Sequence, residues 1–224
     1  MKSDADRSNG AGSVPLFDAA FQAQLESLLL WRRDVRHFQR RALPELDMQY
    51  LLQSACLAPS VGNAQPWRFI RIRSAALRER LADHVDAESS RAANLYTDDD
   101  LRARYRSLKL HGIREAPELL AILSDDHPQA GHRLGIATMP EMLRYSTVMA
   151  IHSLWLAARA KGIGVGWVSI LDPHYVTGLL EAPDNWTLIA LLCIGYPQEM
   201  SDKPELARRG WQQREPLADR VIER

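Results

Sequence analysis

The chain has 224 residues and carries 28 lysines and arginines against 28 aspartates and glutamates, so its formal net charge is zero. A nucleic-acid-binding protein usually has a basic excess, so this balance argues against such a partner. No apolar run reaches the roughly 18 residues that a membrane helix needs. We therefore expect a soluble, cytoplasmic protein with a single domain over residues 15–224, preceded by a flexible polar tail over residues 1–14.

The cysteines and histidines predict no metal site. Cys56 and Cys193 both lie in apolar runs, and neither a C-x-x-C motif nor a pair of histidines at helical spacing accompanies them. We expect both cysteines to be buried free thiols in a reducing compartment.

The first part of the chain alternates helical and strand patterns. Helical periodicity covers residues 17–31, and a second helix is predicted over residues 44–57 because a proline suits its first position. Residues 67–72 alternate like a strand, and Ser74 can cap a helix over residues 75–85.

Residues 86–117 differ from their surroundings because they are polar, charged and only weakly helical. Such a segment can form a surface flap or lid. An ordinary solvated helical hairpin explains the same pattern equally well.

The remainder of the chain predicts further strands and one long helix. Residues 118–123 are a short apolar strand candidate, and residues 138–141 (Thr-Met-Pro-Glu) form a capping box that should start a helix running to Lys161. Large apolar side chains lie around most of that helix, which suits the centre of a dimer as well as a domain core. With strands predicted over residues 165–171 and 187–194, the order of elements indicates an α+β or mixed α/β layer protein.

Gly162, Gly164 and Gly166 do not form a dinucleotide-binding fingerprint. That fingerprint needs a strand, then the glycines, then a helix, whereas here the helix comes first and a strand follows. We expect Gly162 to end the helix and the other two glycines to let the backbone approach something flat.

Five arginines lie within ten residues of this neutral chain. They are Arg32, Arg33, Arg36, Arg40 and Arg41. Guanidinium groups bind phosphate with two parallel hydrogen bonds, so the cluster is a candidate phosphate site. A solvated basic face with Asp34 as its internal counter-ion is the alternative, and the cluster taken alone favours that alternative.

Two further segments are candidates for contact with a ring. Ser60, Asn63 and Gln65 lie between a helix and a strand and offer donors and acceptors to a heterocycle edge or a polyol, although plain turn chemistry also explains them. Residues 166–169 could place small groups and a hydroxyl against a ring, or could simply pack in a core. No G-x-S-x-G motif is present, so a hydrolase nucleophile is not expected.

Together these segments resemble the nitroreductase-like flavoprotein superfamily. They are R-R-x-x-R from Arg32, P-S-x-x-N-x-Q-P-W from Pro59 and G-x-G-W from Gly164, in the order typical of that family, and the resemblance extends from Trp31 to about Pro216. The resemblance implies an α+β fold with a central mixed sheet flanked by helices, an intertwined homodimer, and FMN bound at the dimer interface.

Within the superfamily, four segments are closer to a branch that fragments reduced FMN with molecular oxygen and so makes the lower ligand of vitamin B12. The segments are RRDVRHF (32–38), SLKLHGIREAPE (107–118), TMPEM followed by YS (138–146) and LWLAARAKGIGVGWVSI (154–170). Nitroreductases usually have serine at the position of Asp34, and the acid is typical of this branch. Reduced FMN would then be both ligand and substrate, and we expect a separate flavin reductase to supply it.

The resemblance assigns roles to particular residues. The flavin-binding set that it implies is Arg32, Arg33, Asp34, Val35, Arg36, Ser60, Asn63, Gln65, Leu108, Trp167, Val168 and Ser169. The arginines would hold the phosphate and the ring edge, the polar loop would contact the ring or the ribityl chain, and Asp34 and Ser169 would carry the chemistry. Residues 86–117 would close as a lid that excludes water and a nicotinamide cofactor.

Two other functions are compatible with the same resemblance. One is an FMN-dependent NAD(P)H nitro- or enone reductase that keeps its flavin, and the other is a module that sequesters reduced flavin without consuming it. Asp34 and the charged segment over residues 86–117 favour the fragmenting enzyme over both.

Overall fold

The computed structural model describes residues 14–224, so the predicted tail lies outside the described residues except for Val14. Seven α-helices and four β-strands make up the described part. The helices are α1 (Ala19–Trp31), α2 (Glu45–Cys56), α3 (Ala75–Ala93), α4 (Asp99–Arg106), α5 (Met142–Ala160), α6 (Pro173–Leu179) and α7 (Glu205–Arg208). The strands are β1 (Trp67–Arg71), β2 (Glu118–Asp125), β3 (Gly164–Val168) and β4 (Trp186–Gly195).

The strands form one sheet in the order β1-β2-β4-β3, and all three neighbouring pairs are antiparallel. Among residues 14–224, one parallel bridge joins Asp34 to Val165, so in this described part the strand direction is mixed only at the β3 edge. Helices cover both faces of the sheet, and the predicted α+β class with a helix-flanked central sheet is confirmed.

The strand β2 shows why the sheet has two covered faces. Its side chains alternate between two cores: Leu120 and Ile122 pack with α2 and α5, whereas Leu119 and Leu123 pack with α3 and α6. All four side chains are almost fully buried. A continuous apolar run of this kind is typical of a strand that is buried on both faces.

The long helix α5 packs one face on the sheet and leaves the other open in the single chain. Ala150, Ile151 and Leu154 are buried against α2 and the sheet, whereas Tyr145 and Met149 are exposed. The helix ends as predicted, because Gly162 has a positive φ of 72° just after Lys161.

The predicted start of this helix is wrong. The helix begins at Met142 with no side-chain cap, so Thr138 does not form the capping box. The physical reason is that Met139 and Pro140 accept i+3 hydrogen bonds from Met142 and Leu143, which makes isolated turns before the regular α-helix begins.

Two other predictions need correction. Cys56 is exposed, because it follows the buried Ala55 on the last turn of α2 and lies off the packed face, whereas Cys193 is buried as expected. The strand predicted to reach residue 171 ends at Val168.

Residues 86–117 contain more helix than their composition indicates. They include the end of α3 and all of α4, and they bury Ala93, Tyr105 and Ile113. Their closure as a lid stays a prediction. Within residues 14–224, no helix is both long and apolar enough to cross a membrane.

Candidate functional site

The arginine-rich segment that follows α1 runs along the edge of β3. The Val35 N–H donates to the Val165 carbonyl oxygen at 3.0 Å, next to the parallel bridge at Asp34. A Cβ atom at Gly166 would collide with the Val35 carbonyl oxygen, and one at Gly164 would lie 2.8 Å from Val35 Cγ2. Gly166 therefore admits the backbone of Val35 and Gly164 admits its side chain, so the chain itself fills the space that the sequence predicted for something flat.

Asp34 is held at both of its carboxylate oxygens. Oδ1 accepts the backbone N–H of Trp167 at 2.8 Å, and Oδ2 accepts Nε of Arg36 at 2.9 Å. The Asp34 side chain is 32% exposed. Burial raises the pKa of this carboxyl, while the Arg36 charge and the Trp167 N–H act in the opposite direction. Burial that raises a carboxyl pKa favours its protonated form more than water does, which suits a group that takes part in proton transfer.

Arg36 is engaged mainly inside the chain. Its Nε binds Asp34, and its Nη1 donates to the Lys109 carbonyl oxygen at 3.2 Å. Only 12% of its side chain is exposed. Arg36 thus joins the acid to residues 86–117, and little of it is free to contact a ligand.

A cavity of about 170 Å³ lies beside Asp34 and carries a concentration of positive charge. Its charged lining comes from the arginine segment, from the end of α5 and from residues 199–209 near the C-terminus. The charged residues that line it are Arg33, Asp34, Arg36, Arg159, Glu199, Lys203, Glu205, Arg208 and Arg209. Such an excess of cations favours an anionic ligand.

Arg33 shows most directly what kind of ligand fits. Its Nε donates to the Asp202 carbonyl oxygen at 2.9 Å and its Nη1 to the Arg32 carbonyl oxygen at 2.6 Å. Its Nη2 is buried and has no partner among residues 14–224. Because an unpaired buried donor is costly, this atom calls for an acceptor, and a phosphate oxygen could satisfy it after a small rotation of the guanidinium.

Arg32 does not line the cavity itself but lies over Trp155, which does. Its guanidinium carbon is 4.8 Å from the centre of the Trp155 ring, which in turn stacks on Trp167. Burial lowers the pKa of both Arg32 and Arg33, and the nearby charge of Arg214 lowers both further. An anion that binds between these positive charges reduces the repulsion between them.

The C-terminal cations are the part of the site that the sequence analysis missed. Four of them, Lys203, Arg208, Arg209 and Arg214, lie within twelve residues of sequence. The number of cations in so short a segment could have identified it as a candidate anion site. A short charged stretch on the surface is common, however, and by itself indicates no partner. Only the fold brings them to the arginine segment.

The polar loop lies away from this cavity in the single chain. Ser60 Oγ accepts the Gln65 N–H at 3.1 Å, and the loop leans on α5 through a 3.0 Å bond from the Val61 N–H to Ser146 Oγ. Asn63 and Gln65 both have positive φ, 54° and 46°. Left-handed backbone at non-glycine residues is strained and is frequent at ligand sites.

The remaining predicted site residues are also separate from the cavity. Val168 is buried in the core under the sheet, and Ser169 is exposed just beyond β3. Leu108 lines two clefts whose walls come from residues 86–115. One chain therefore brings together Arg32, residues 33–36 and Trp167, but not the polar loop, Leu108 or Ser169.

Fold and site define the class of the protein: it belongs to the nitroreductase family, whose model matches residues 29–196. The chain is 52% identical over 202 residues to the 5,6-dimethylbenzimidazole synthase of Rhodospirillum rubrum, covering 90% of this chain and 95% of that protein. It is 46% identical over 200 residues to an enzyme of the same name from Rhodobacter capsulatus, covering 89% and 96%.

A solved structure supports the same class. Iodotyrosine deiodinase, crystallised with FMN and 3-iodo-L-tyrosine, superposes with a TM-score of 0.70 at 26% identity, covering 89% of this chain and 97% of that one.

Proposed function

We propose that this protein is a 5,6-dimethylbenzimidazole synthase, which fragments reduced FMN in the presence of molecular oxygen to make the lower ligand of vitamin B12. The observation that carries the proposal is the Asp34 carboxyl, held between the Trp167 N–H and Arg36 beside a cationic cavity. The synthases from Rhodospirillum rubrum and Rhodobacter capsulatus support it through their identity over nearly the whole chain.

The residues present fit FMN as the bound group. The buried, unpaired Nη2 of Arg33 and the cations that line the cavity suit the phosphate of FMN. The guanidinium of Arg32 lies over the Trp155 ring, so an aromatic surface is present close to the proposed phosphate site. Reduced FMN would supply the electrons and the carbon framework of the product. The reaction also needs molecular oxygen as co-substrate.

Asp34 is the group that would move protons in this reaction. The Trp167 N–H fixes Oδ1, so Oδ2 is the oxygen that can turn toward the substrate when Arg36 gives way. Burial raises the pKa of this carboxyl, which favours proton uptake by Asp34 more than in water. Ser169, exposed one residue after β3, is the second polar group in our proposal and would orient a hydroxyl or relay a proton.

A second copy of the chain would complete the site. The helix α1 has no buried residue among those described, and it exposes Phe21, Leu25 and Leu29. The outer face of α5 exposes Tyr145 and Met149. Apolar surface of this extent marks an interface. In a homodimer formed through these helices, the polar loop of one chain would meet the arginine segment of the other.

Residues 86–117 would act as the cover of this site. Arg36 already joins them to Asp34 through the Lys109 carbonyl oxygen. A cover here would exclude bulk water and a nicotinamide cofactor, so reduced FMN would come from a separate flavin reductase.

The decisive experiment is to incubate the protein with chemically reduced FMN in air-saturated buffer and to look for dimethylbenzimidazole by mass spectrometry. We expect product in air and none without oxygen. Recovery of all the flavin intact would instead indicate a sequestering module. Rapid oxidation of NADPH by the FMN-loaded protein, with an electron acceptor present, would indicate a reductase.

A further inference from the structure

The segment that carries the C-terminal cations ends in a defined turn. After α7, the Gly210 N–H donates to the Ala207 carbonyl oxygen at 3.1 Å and the Trp211 N–H to the Leu206 carbonyl oxygen at 2.8 Å. Gly210 has a φ of 69°. This is a Schellman motif with glycine in its left-handed position, and it sets the direction in which Trp211 leaves the helix.

Trp211 packs on the segment over residues 86–117. Its ring centre lies 5.8 Å from that of Tyr96, edge to face, and 6.0 Å from that of Tyr105. The two tyrosine rings are themselves 5.2 Å apart. The backbone is tied at the same place, because Arg104 donates to the Gly210 carbonyl oxygen. Aromatic pairs in this geometry contribute beyond the area that they bury.

The two sides of this turn face different structures. Arg208 and Arg209 line the cationic cavity, while Gly210 and Trp211, the next two residues, are held by α4 and Tyr96. We therefore infer that Trp211 is a positioning residue: it fastens the C-terminal cations to residues 86–117, so that the anion site is complete only when that segment is in place.

This inference rests on the proposed binding of FMN in the cationic cavity. It adds that phosphate recognition depends on a contact that touches neither the phosphate nor the cavity. Trp211 does not line the cavity, and neither do Tyr96 and Tyr105. A purely stabilising aromatic cluster would leave the preference for FMN over riboflavin unchanged.

The test compares the dissociation constants of FMN and riboflavin, measured by flavin fluorescence, in the wild type and in Trp211→Ala. Releasing the cations loses one or more charge-assisted hydrogen bonds, so we expect FMN binding to weaken by about tenfold or more. Riboflavin binding should change by less than about twofold on the same argument. Trp211→Phe, which keeps an aromatic ring, should recover most of the preference for FMN.

Two further variants separate positioning from stability. Tyr96→Ala removes the contact from the other side and should reproduce the loss of preference. Tyr175→Ala is the matched control, because it truncates an exposed aromatic side chain that stacks on His84 and does not line the cavity. It should leave both dissociation constants unchanged.

The outcomes distinguish this inference from the proposed function. If the wild type binds FMN no better than riboflavin, the proposed phosphate site is wrong. If the wild type prefers FMN and Trp211→Ala keeps that preference, or loses both ligands equally, only the positioning role is overturned. Should Trp211→Ala fail to fold, Trp211→Phe and Tyr96→Ala decide the question by the same comparison.

Discussion

Replacing Asp34 by asparagine separates the proposed chemistry from simple charge balance. The amide has nearly the shape of the carboxyl but only one acceptor oxygen. It can keep the Trp167 N–H or the Arg36 Nε as a partner, and its NH2 group then faces the other donor. One lost hydrogen bond to a charged group costs about 1.5–3 kcal/mol. Removing a half-buried carboxylate with a raised pKa offsets part of this cost.

The effects on binding and on chemistry should therefore differ. FMN binding should hold or tighten, because a negative charge beside the cationic cavity is removed while Arg33 is unchanged. Product formation should fall by roughly 10²–10⁴-fold, as is usual when a general acid/base is lost. That fall corresponds to about 2.7–5.4 kcal/mol in the activation barrier.

The assay follows flavin and product together. Asp34→Asn and wild type are mixed with reduced FMN in air-saturated buffer, oxidised flavin is followed by absorbance, and dimethylbenzimidazole is measured by mass spectrometry. We expect uncoupling: the variant returns oxidised FMN and hydrogen peroxide and makes almost no product. Ser169→Ala should uncouple less, because water can partly replace a hydroxyl. Product formation by Asp34→Asn at the wild-type rate would refute the mechanism.

The raised pKa of Asp34 also predicts how stability depends on pH. A carboxyl whose pKa is higher in the folded state ionises later there than in the unfolded chain. The folded wild type therefore loses stability relative to Asp34→Asn as pH rises from the ordinary aspartate value of about 3.9 through the folded-state pKa. Thermal unfolding across this range should show the free energy of unfolding of the wild type fall relative to that of Asp34→Asn and then keep a constant difference. A wild type that gains stability relative to the variant as pH rises would mean that the pKa is not raised.

Three other predictions test the fold around the site. Gly166→Ala should destabilise the protein by about 2 kcal/mol or more and abolish FMN binding, because the new Cβ would push Val35 away from β3. The control Gly178→Ala adds its Cβ in open space on α6, so it should be neutral or stabilising in thermal melts. A thiol reagent should modify Cys56 in the native protein but not Cys193, since burial raises the pKa of the Cys193 thiol to about 12; rapid reaction of both would contradict this packing. Sedimentation should show a dimer, and a stable folded monomer at micromolar concentration would refute the interface assigned to α1 and α5.

Local pattern was sufficient for most of the elements. The apolar run of β2 predicts a strand, and Gly162 predicts the end of α5, because each depends on residues that are neighbours in sequence. Where a prediction failed, a competing local arrangement prevailed. Turns at Met139 and Pro140 replaced the predicted capping box.

The chain's own sequence determined the ingredients of the candidate site: the arginine-rich segment with Asp34 and the glycines of β3. Only the tertiary structure decided how they meet. Arg33 finds the Asp202 carbonyl 169 positions away in the chain, and Asp34 finds the Trp167 N–H 133 positions away. No periodicity encodes such pairs, because they form only when packing of the two cores brings the arginine segment, β3 and the C-terminal cations to the same edge of the sheet.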